Sequence, residues 1–169
     1  MNKKQNLIGK FISIFFSDKR SPINGIILDY NDHLTLMRYV PVDYVLDGLI
    51  LVIHYKIEGY SRGADEIFSE KILKIKARDQ KVPQIPIDNL ATALNVISNS
   101  YRAFQVNVKS KKSVFVGKLK SINDNEIVIS NLTTRAVWKG ETAIKIKDIS
   151  SIEFDNDYLN SLLLVAKKR

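Results

Sequence analysis

The sequence predicts a mainly β protein made of two tandem, five-stranded small barrels, on three observations. The first is a faint duplication. Gly25, Asn31-Asp32, Gly48, Ile57 and Asp65 have counterparts at Gly117, Asn123-Asp124, Gly140, Ile149 and Asp157, each 92 positions later. These matches fall in the same order at turn residues and at strand-like apolar positions, a pattern that scattered coincidence does not produce. A one-residue slip upstream of Gly25 aligns Phe11 with Phe104. The second observation is a succession of short Ile- and Val-rich runs separated by Gly, Asn, Asp and Pro. The third is a glycine inside the second strand of each copy, where it weakens the strand unless a bend or a close backbone approach requires it.

In the first copy, Phe11 to Phe16 makes the first strand and Ser17 to Pro22 the turn that ends it. Ile23 to Tyr30 makes the second strand, Asn31-Asp32-His33 turns the chain, and Leu34 to Tyr39 returns it. Asp47-Gly48 precedes a strand from Leu49 to Tyr55, and Ile57 to Tyr60 closes the unit. In the second copy the strands are Phe104 to Val108, Val114 to Ile122, Glu126 to Leu132, Thr142 to Ile146 and Ile149 to Phe154. Val82-Pro83-Gln84-Ile85-Pro86 is a stiff extended connector, because proline fixes φ and restricts the residue before it. It divides the chain into residues 1–80 and 81–169. Asp88 is placed to cap a helix over about 88–101, whose Leu90, Ala91, Leu94, Ile97 and Tyr101 form an apolar stripe. Residues 64–76 and 158–166 read as either helix or strand.

Composition bounds the chemistry. With 169 residues and 45% hydrophobic content, core material is ample. There is no cysteine, so disulfides, thiolate catalysis and cysteine metal sites are excluded together. No stretch approaches the roughly 20 apolar residues that span a bilayer, and the N-terminus lacks a signal-peptide core, so a cytoplasmic location and no membrane partner are expected. The net charge is +8. Residues 1–80 hold 12 Lys/Arg against 10 Asp/Glu, and residues 81–169 hold 14 against 8, so the second half supplies most of the excess. Such an imbalance steers polyanions towards one half.

The stretch Gly117-Lys118-Leu119-Lys120-Ser121-Ile122-Asn123-Asp124-Asn125-Glu126-Ile127-Val128-Ile129 resembles the first motif of the Sm-like family, which includes Hfq-like proteins. Ile144 to Ile152 resembles that family's closing strand pair, and Gly25 to Leu36 is similar to the first motif again. The resemblance implies Sm-like or SH3-like barrels and binding of single-stranded RNA through the strand 2–3 and 4–5 loops. Those loops hold Asn31, Asp32 and His33 in copy one and Asn123, Asp124 and Asn125 in copy two. Rings are also common in that family.

From the residues themselves, a basic face is expected on the second unit. Lys109, Lys111 and Lys112 lie in its first turn, Lys118 and Lys120 on one face of its second strand, and Lys145 and Lys147 on its fourth. If those faces adjoin they track phosphates. Phe115 and Trp138 are the candidates for stacking bases beside them. His33 and His54 have no sequence-near partner, HExxH and glycine-rich phosphate loops are missing, and Asp43 and Asp47 read as turn residues. The expectation is therefore a non-catalytic module without metal or cofactor. It binds RNA or another polyanion, or else it is an adaptor that self-associates or docks a protein.

Overall fold

The computed structural model describes residues 6–17, 21–55, 57–108 and 114–167. The first half contributes β1 (Phe11–Phe16), β2 (Ile23–Tyr30), β3 (Leu34–Tyr39), β4 (Leu49–Ile53), β5 (Ile57–Ser61) and α1 (Ala64–Lys76). The second opens with α2 (Leu90–Tyr101) and continues through β6 (Phe104–Val108), β7 (Val114–Ile122), β8 (Glu126–Leu132) and β9 (Trp138–Lys145). A 3-10 turn at Ile146–Asp148, β10 (Ile149–Phe154) and α3 (Asp157–Val165) complete it. Both segments that sequence left undecided are helices. Asn89 rather than Asp88 caps α2, its side chain accepting from the Thr92 N–H at 2.8 Å.

The expected pair of closed barrels is not what forms. The ten strands of the described residues make one continuous antiparallel sheet in the order β5-β1-β2-β3-β4-β10-β6-β7-β8-β9. The physical reason lies in β4. Its backbone edge pairs with β10, Leu49 opposite Phe154 and Leu51 opposite Ile152, so neither half closes on itself. All five β4 residues are buried, which gives this strand apolar contacts on both faces. Joining the halves edge to edge covers Leu49, Leu51 and Ile53 with the second half's Phe104, Ile152 and Phe154, which share one core with them. The fold is therefore not Sm-like or SH3-like as those resemblances implied, and RNA binding loses the support it drew from them.

Pairing inside the two halves nevertheless repeats residue for residue. Gly25 lies opposite Tyr39 and Gly117 opposite Asn131; Leu34 opposite Ile53 and Glu126 opposite Lys145. The bulge between Ile27 and Asp29 recurs between Leu119 and Ser121. The β1–β5 irregularity, with Phe16 opposite Ile57 and Phe15 opposite Gly59, recurs where Val108 faces Ile149 and Asn107 faces Ser151. Ile12 pairs with Gly25 as Phe104 pairs with Gly117, so the offset is constant and the expected slip to Phe11 does not occur.

The two strand glycines are set by close approach. A Cβ on Gly25 would lie 2.3 Å from the Arg38 carbonyl oxygen, and one on Gly117 would lie 2.3 Å from that of Ser130. Gly48 and Gly140 share a left-handed φ of +73°, yet only Gly48 is enclosed, with Asn156 N and Phe154 O each 2.6 Å from where a Cβ would sit. Gly48 borders the β4–β10 junction, whereas Gly140 sits at the outer edge.

The connector is held across the first half. Arg38 donates to the carbonyl of Lys81 at 2.7 Å and to Gln80, Asn31 Nδ2 donates to the Ile87 carbonyl, and Ile85 and Ile87 are buried in the shared core. Helix α1 is anchored on β1 by two carboxylates. Glu66 accepts from Ser13, Ser61 and the Gly63 N–H, and Glu70 accepts from the Phe11 N–H at 2.9 Å and pairs with Arg62 and Lys74. Burial alone would raise the Glu70 carboxyl. The Lys74 and Phe11 bonds and the nearby cations hold it below its ordinary value.

Urea unfolding should show Gly25→Ala and Gly117→Ala each losing about 1–3 kcal/mol, because the new methyl meets backbone that cannot rotate away. Gly48→Ala should cost more than Gly140→Ala, since both carry the left-handed strain and only one meets the junction backbone; equal losses would contradict the enclosure. Acid unfolding provides a second check. Hydrogen bonds from Ser61, the Gly63 N–H and Ser13 lower the Glu66 carboxyl from 4.5 to about 2. A depressed carboxylate contributes stability above its unfolded value and loses it as pH falls through the folded one. Wild-type stability should thus fall between about pH 4.5 and about 2, with a shallower slope in Glu66→Gln across the same window.

Candidate functional site

A concavity of about 730 Å³ opens where the two halves meet at the turn end of the sheet. Asp32 and His33 of the β2–β3 turn and Ile53, His54 and Tyr55 at the end of β4 form one wall. Asp124, Asn125 and Glu126 of the β7–β8 turn, with Lys145, Ile146 and Lys147 at the end of β9, form the other. The cleft exists because β4 and β10 lie side by side, which brings corresponding ends of the two repeats into one place.

Each wall is built by the same local chemistry. Asn31 Oδ1 accepts from the backbone N–H groups of His33 and Leu34, both at 2.8 Å. Asn123 Oδ1 accepts from those of Asn125 at 2.8 Å and Glu126 at 3.0 Å. Asparagine is the residue that closes such a turn with its own side chain. Each turn is then tied to the neighbouring strand end: His54 N–H donates to the His33 carbonyl at 2.9 Å, and Ile146 N–H donates to that of Asn125 at 2.8 Å.

His54 is committed to structure. Its Nδ1 lies 3.1 Å from the Asp32 carbonyl and its Nε2 lies 2.7 Å from the Thr35 hydroxyl. A carbonyl only accepts, so Nδ1 carries the proton and Nε2 receives the Thr35 O–H. Burial lowers the His54 pKa, partly offset by the Asp32 bond, which matches a neutral ring. Both ring nitrogens are thereby tied to the β2–β3 turn and to β3. Among the described residues no group of three or more His, Cys, Asp or Glu is placed to hold a metal ion. The cleft's two lysines face three carboxylates, Asp32, Asp124 and Glu126. That mixture offers donors and acceptors to a polar ligand and no net positive field.

Of the residues expected from sequence, Asp32, His33, Asp124, Asn125, Lys145 and Lys147 line this cleft, while Asn31 and Asn123 shape its turns. Lys118 and Lys120 lie elsewhere. Strand β8 separates β7 from β9, so the two lysine-bearing strands do not adjoin. Lys120 forms an ion pair with Glu141 at 2.6 Å, and Lys145 lies opposite Glu126. The expected basic face is interleaved with carboxylates. Trp138 packs with Leu132 and Leu162, and its Nε1 donates to the Lys167 carbonyl at 3.1 Å, so the indole joins β9 to the end of α3. Phe115 packs against the main core. Lys109, Lys111 and Lys112 fall outside the described residues. His54 and Tyr55, missed as site residues, have no local motif; only the 92-residue correspondence with Ile146 and Lys147 marks them.

No protein-family model matches this chain, and no curated protein matches it. No helix among the described residues is long and apolar enough to cross a membrane.

Asn31→Asp should test how the first wall is held. The aspartate keeps both acceptor bonds of the turn but loses the Nδ2 donor to the Ile87 carbonyl. Hydrogen exchange should show faster opening of residues 82–88 with the β2–β3 turn unchanged. Unchanged exchange in the connector would remove Asn31 as its anchor.

Proposed function

We propose that this protein is a non-catalytic assembly module that associates head to tail through the two outer edges of its sheet. One observation carries the reading. Strands β5 and β9 end the sheet, and by the 92-residue correspondence they are the counterparts of β10 and β4, the two strands that pair inside the molecule. The outer edges are therefore the repeat counterparts of two strands that this backbone already pairs.

Copying the β4–β10 register onto β9 and β5 sets Arg62 opposite Glu141, as Phe154 faces Leu49, and Tyr60 opposite Ala143, as Ile152 faces Leu51. Glu58 then falls beside Lys145. Glu58 and Lys145 bring opposite charges together at one end, while at the other Arg62 already pairs with Glu70 and Glu141 with Lys120; exposed strand edges are templates for another chain. The chemistry differs from the internal junction in a useful way. Leu49, Leu51 and Ile53 are buried, whereas their counterparts Glu141, Ala143 and Lys145 are exposed. The internal contact is apolar and permanent; the outer one is polar, reversible and weakened by salt. A head-to-tail contact closes into a ring or runs on as a filament according to its rotation.

Nucleic-acid binding rests on the net charge of +8 alone. On the second half it must work against Glu126 and Glu141, and assembly is the better supported reading.

Light scattering over a concentration series should show association that diminishes with salt. Lys145→Glu and Glu58→Lys should each weaken it, and the double exchange should restore part of it, because the cross-edge pair is reversed while position 145 then faces Glu126 within the chain. A monomer at every concentration, or equal association by all four chains, would overturn the proposal. Short single-stranded RNA titrated into the same samples separates the alternative. Saturable, salt-sensitive RNA binding by a strictly monomeric chain would favour the nucleic-acid reading.

A further inference from the structure

We propose that the groove between α1 and the β3–β4 loop receives an arginine side chain carried on an apolar segment of a partner protein. The groove is a cavity of about 360 Å³, with room for one long side chain. Ser13 and Asn24, paired directly across β1 and β2, line its strand side. Asp65 and Glu66 of α1 line one wall, and Asp43 and Tyr44 of the loop line the other. Three carboxylates therefore converge on a cavity whose described lining holds no Lys, Arg or His, in a chain of net charge +8. A cation is the complement of that lining.

A second observation is independent of the charge. Asn24 Oδ1 is buried and accepts no hydrogen bond among the described residues. An unpaired buried carbonyl is costly, and a donor arriving in the groove recovers that cost. Asn24 as a whole is partly exposed and its amide torsion is soft, so the oxygen can turn to a donor without movement of β2. The fold itself does not require a polar group there. Moved along by 92 positions, Asn24 becomes Val116, which packs against the apolar cluster containing Leu132 and Ala136, the counterparts of Val40 and Tyr44. The loop geometry is shared, Tyr44 and Ala136 having φ of 53° and 56°, while Asp43 becomes Arg135. One backbone arrangement is thus apolar in the second half and lined with acceptors in the first.

The occupant must supply donors as well as positive charge. Ser13 Oγ donates to Glu66 at 3.0 Å, and Glu66 also accepts from Ser61 and the Gly63 N–H. The acceptors open to a ligand are then Asn24 Oδ1 and the carboxylates of the exposed Asp43 and Asp65. A guanidinium carries five donors in a planar fork and serves an amide oxygen and two carboxylates together, whereas a lysine ammonium is a point with three. The surroundings favour a protein segment over a free small molecule. Val42, Tyr44 and Phe68 are exposed, and the Tyr44 and Phe68 rings meet edge to face with centroids 6.4 Å apart, a surface for the apolar neighbours of the arginine. Lys76 Nζ donates to the Tyr44 carbonyl, so the loop is already held to α1 and little ordering is left to binding.

The test uses the full chain and a fluorescein-labelled heptapeptide in which one arginine stands between two leucines. Fluorescence anisotropy should give saturable binding. Citrulline in place of the arginine, which keeps its length and removes its charge, should weaken binding by about tenfold or more, as should Asp43→Asn and Asn24→Val in the chain. Asn24→Val copies Val116 and removes the unpaired carbonyl, so its urea midpoint should not fall, an outcome that a merely structural amide would not give. Lys145→Glu, which weakens the outer-edge contact, should leave peptide binding unchanged and so separates this proposal from assembly. Free arginine should displace the labelled peptide far less well than the unlabelled peptide does, because it leaves Tyr44 and Phe68 uncovered. Absence of saturable binding, equal binding by the citrulline peptide or by the Asn24→Val chain, a lowered midpoint in that chain, or equal displacement by free arginine would overturn the proposal.

Discussion

The structure depends on one ladder, the antiparallel pairing of β4 with β10. Without it the chain would be two five-stranded sheets, each with an apolar edge strand exposed to water. With it, Leu49, Leu51 and Ile53 enter a core that also takes in Phe104, Val106, Ile152 and Phe154 from the other half. Further contacts secure the same seam. The Asp157 N–H donates to Asp47 Oδ1 across it at 2.8 Å, and behind it the second half's own Tyr101 and Phe154 rings meet with centroids 5.0 Å apart. Tyr39 lies close enough for burial and the charges of Glu153 and Asp47 to push its phenol up to about 12. The seam also takes the ends of the β2–β3 and β7–β8 turns into one place, which is why a cleft exists there.

A repeated unit joined once leaves two unjoined ends, and the side chains record which ends are which. β4 is buried along its whole length, while its counterpart β9 is mostly exposed. Gly48 is packed against backbone and its counterpart Gly140 is open. The inner edge is apolar and packed, whereas the outer edge carries charge, the usual device by which an edge strand avoids indiscriminate pairing. Charge that discourages wrong partners also selects a right one when opposite signs meet in register. The polar outer edges and the apolar inner seam are thus two uses of one backbone geometry.

The halves also differ in how they cover their concave apolar surface. The second uses α2, with Asn89 at its cap and a stripe of Leu94 and Ile97 driven fully into the core. The first has Leu7 packed against its own apolar cluster, and it uses its own helix differently. Glu66 and Glu70 attach α1 to β1 through hydrogen bonds and the Arg62 ion pair, with Leu73 as its fully buried apolar contact. Helices after corresponding strands have therefore taken separate tasks. α1 is held by carboxylates, and α3 is held by Leu159, Leu162 and the Trp138 indole.

By itself the sequence determined the local structure and the repeat. Turn asparagines, strand glycines and short β-branched runs act over a few residues, so their effect is readable without the fold, and the strands and α2 follow from them. The constant spacing between copies was legible for the same reason, apart from a slip at Phe11 that the pairing of Ile12 with Gly25 removes. Three things were decided only by tertiary structure. Whether each half closes or joins its neighbour depends on which edge β4 pairs with, a competition between partners roughly a hundred residues away that no local pattern encodes. Whether Ala64–Lys76 and Asp157–Val165 become helices depended on the surfaces available to bury Leu73 and Leu159, because neither stretch has a decisive period of its own. The site was the least legible. His54 and Tyr55 reach Asn125 and Lys147 only across the seam, and Lys120 meets Glu141 only because β8 carries β9 beside it. Distances between side chains on different strands are a property of the assembled sheet, and they convert a run of lysines into a surface of paired charge.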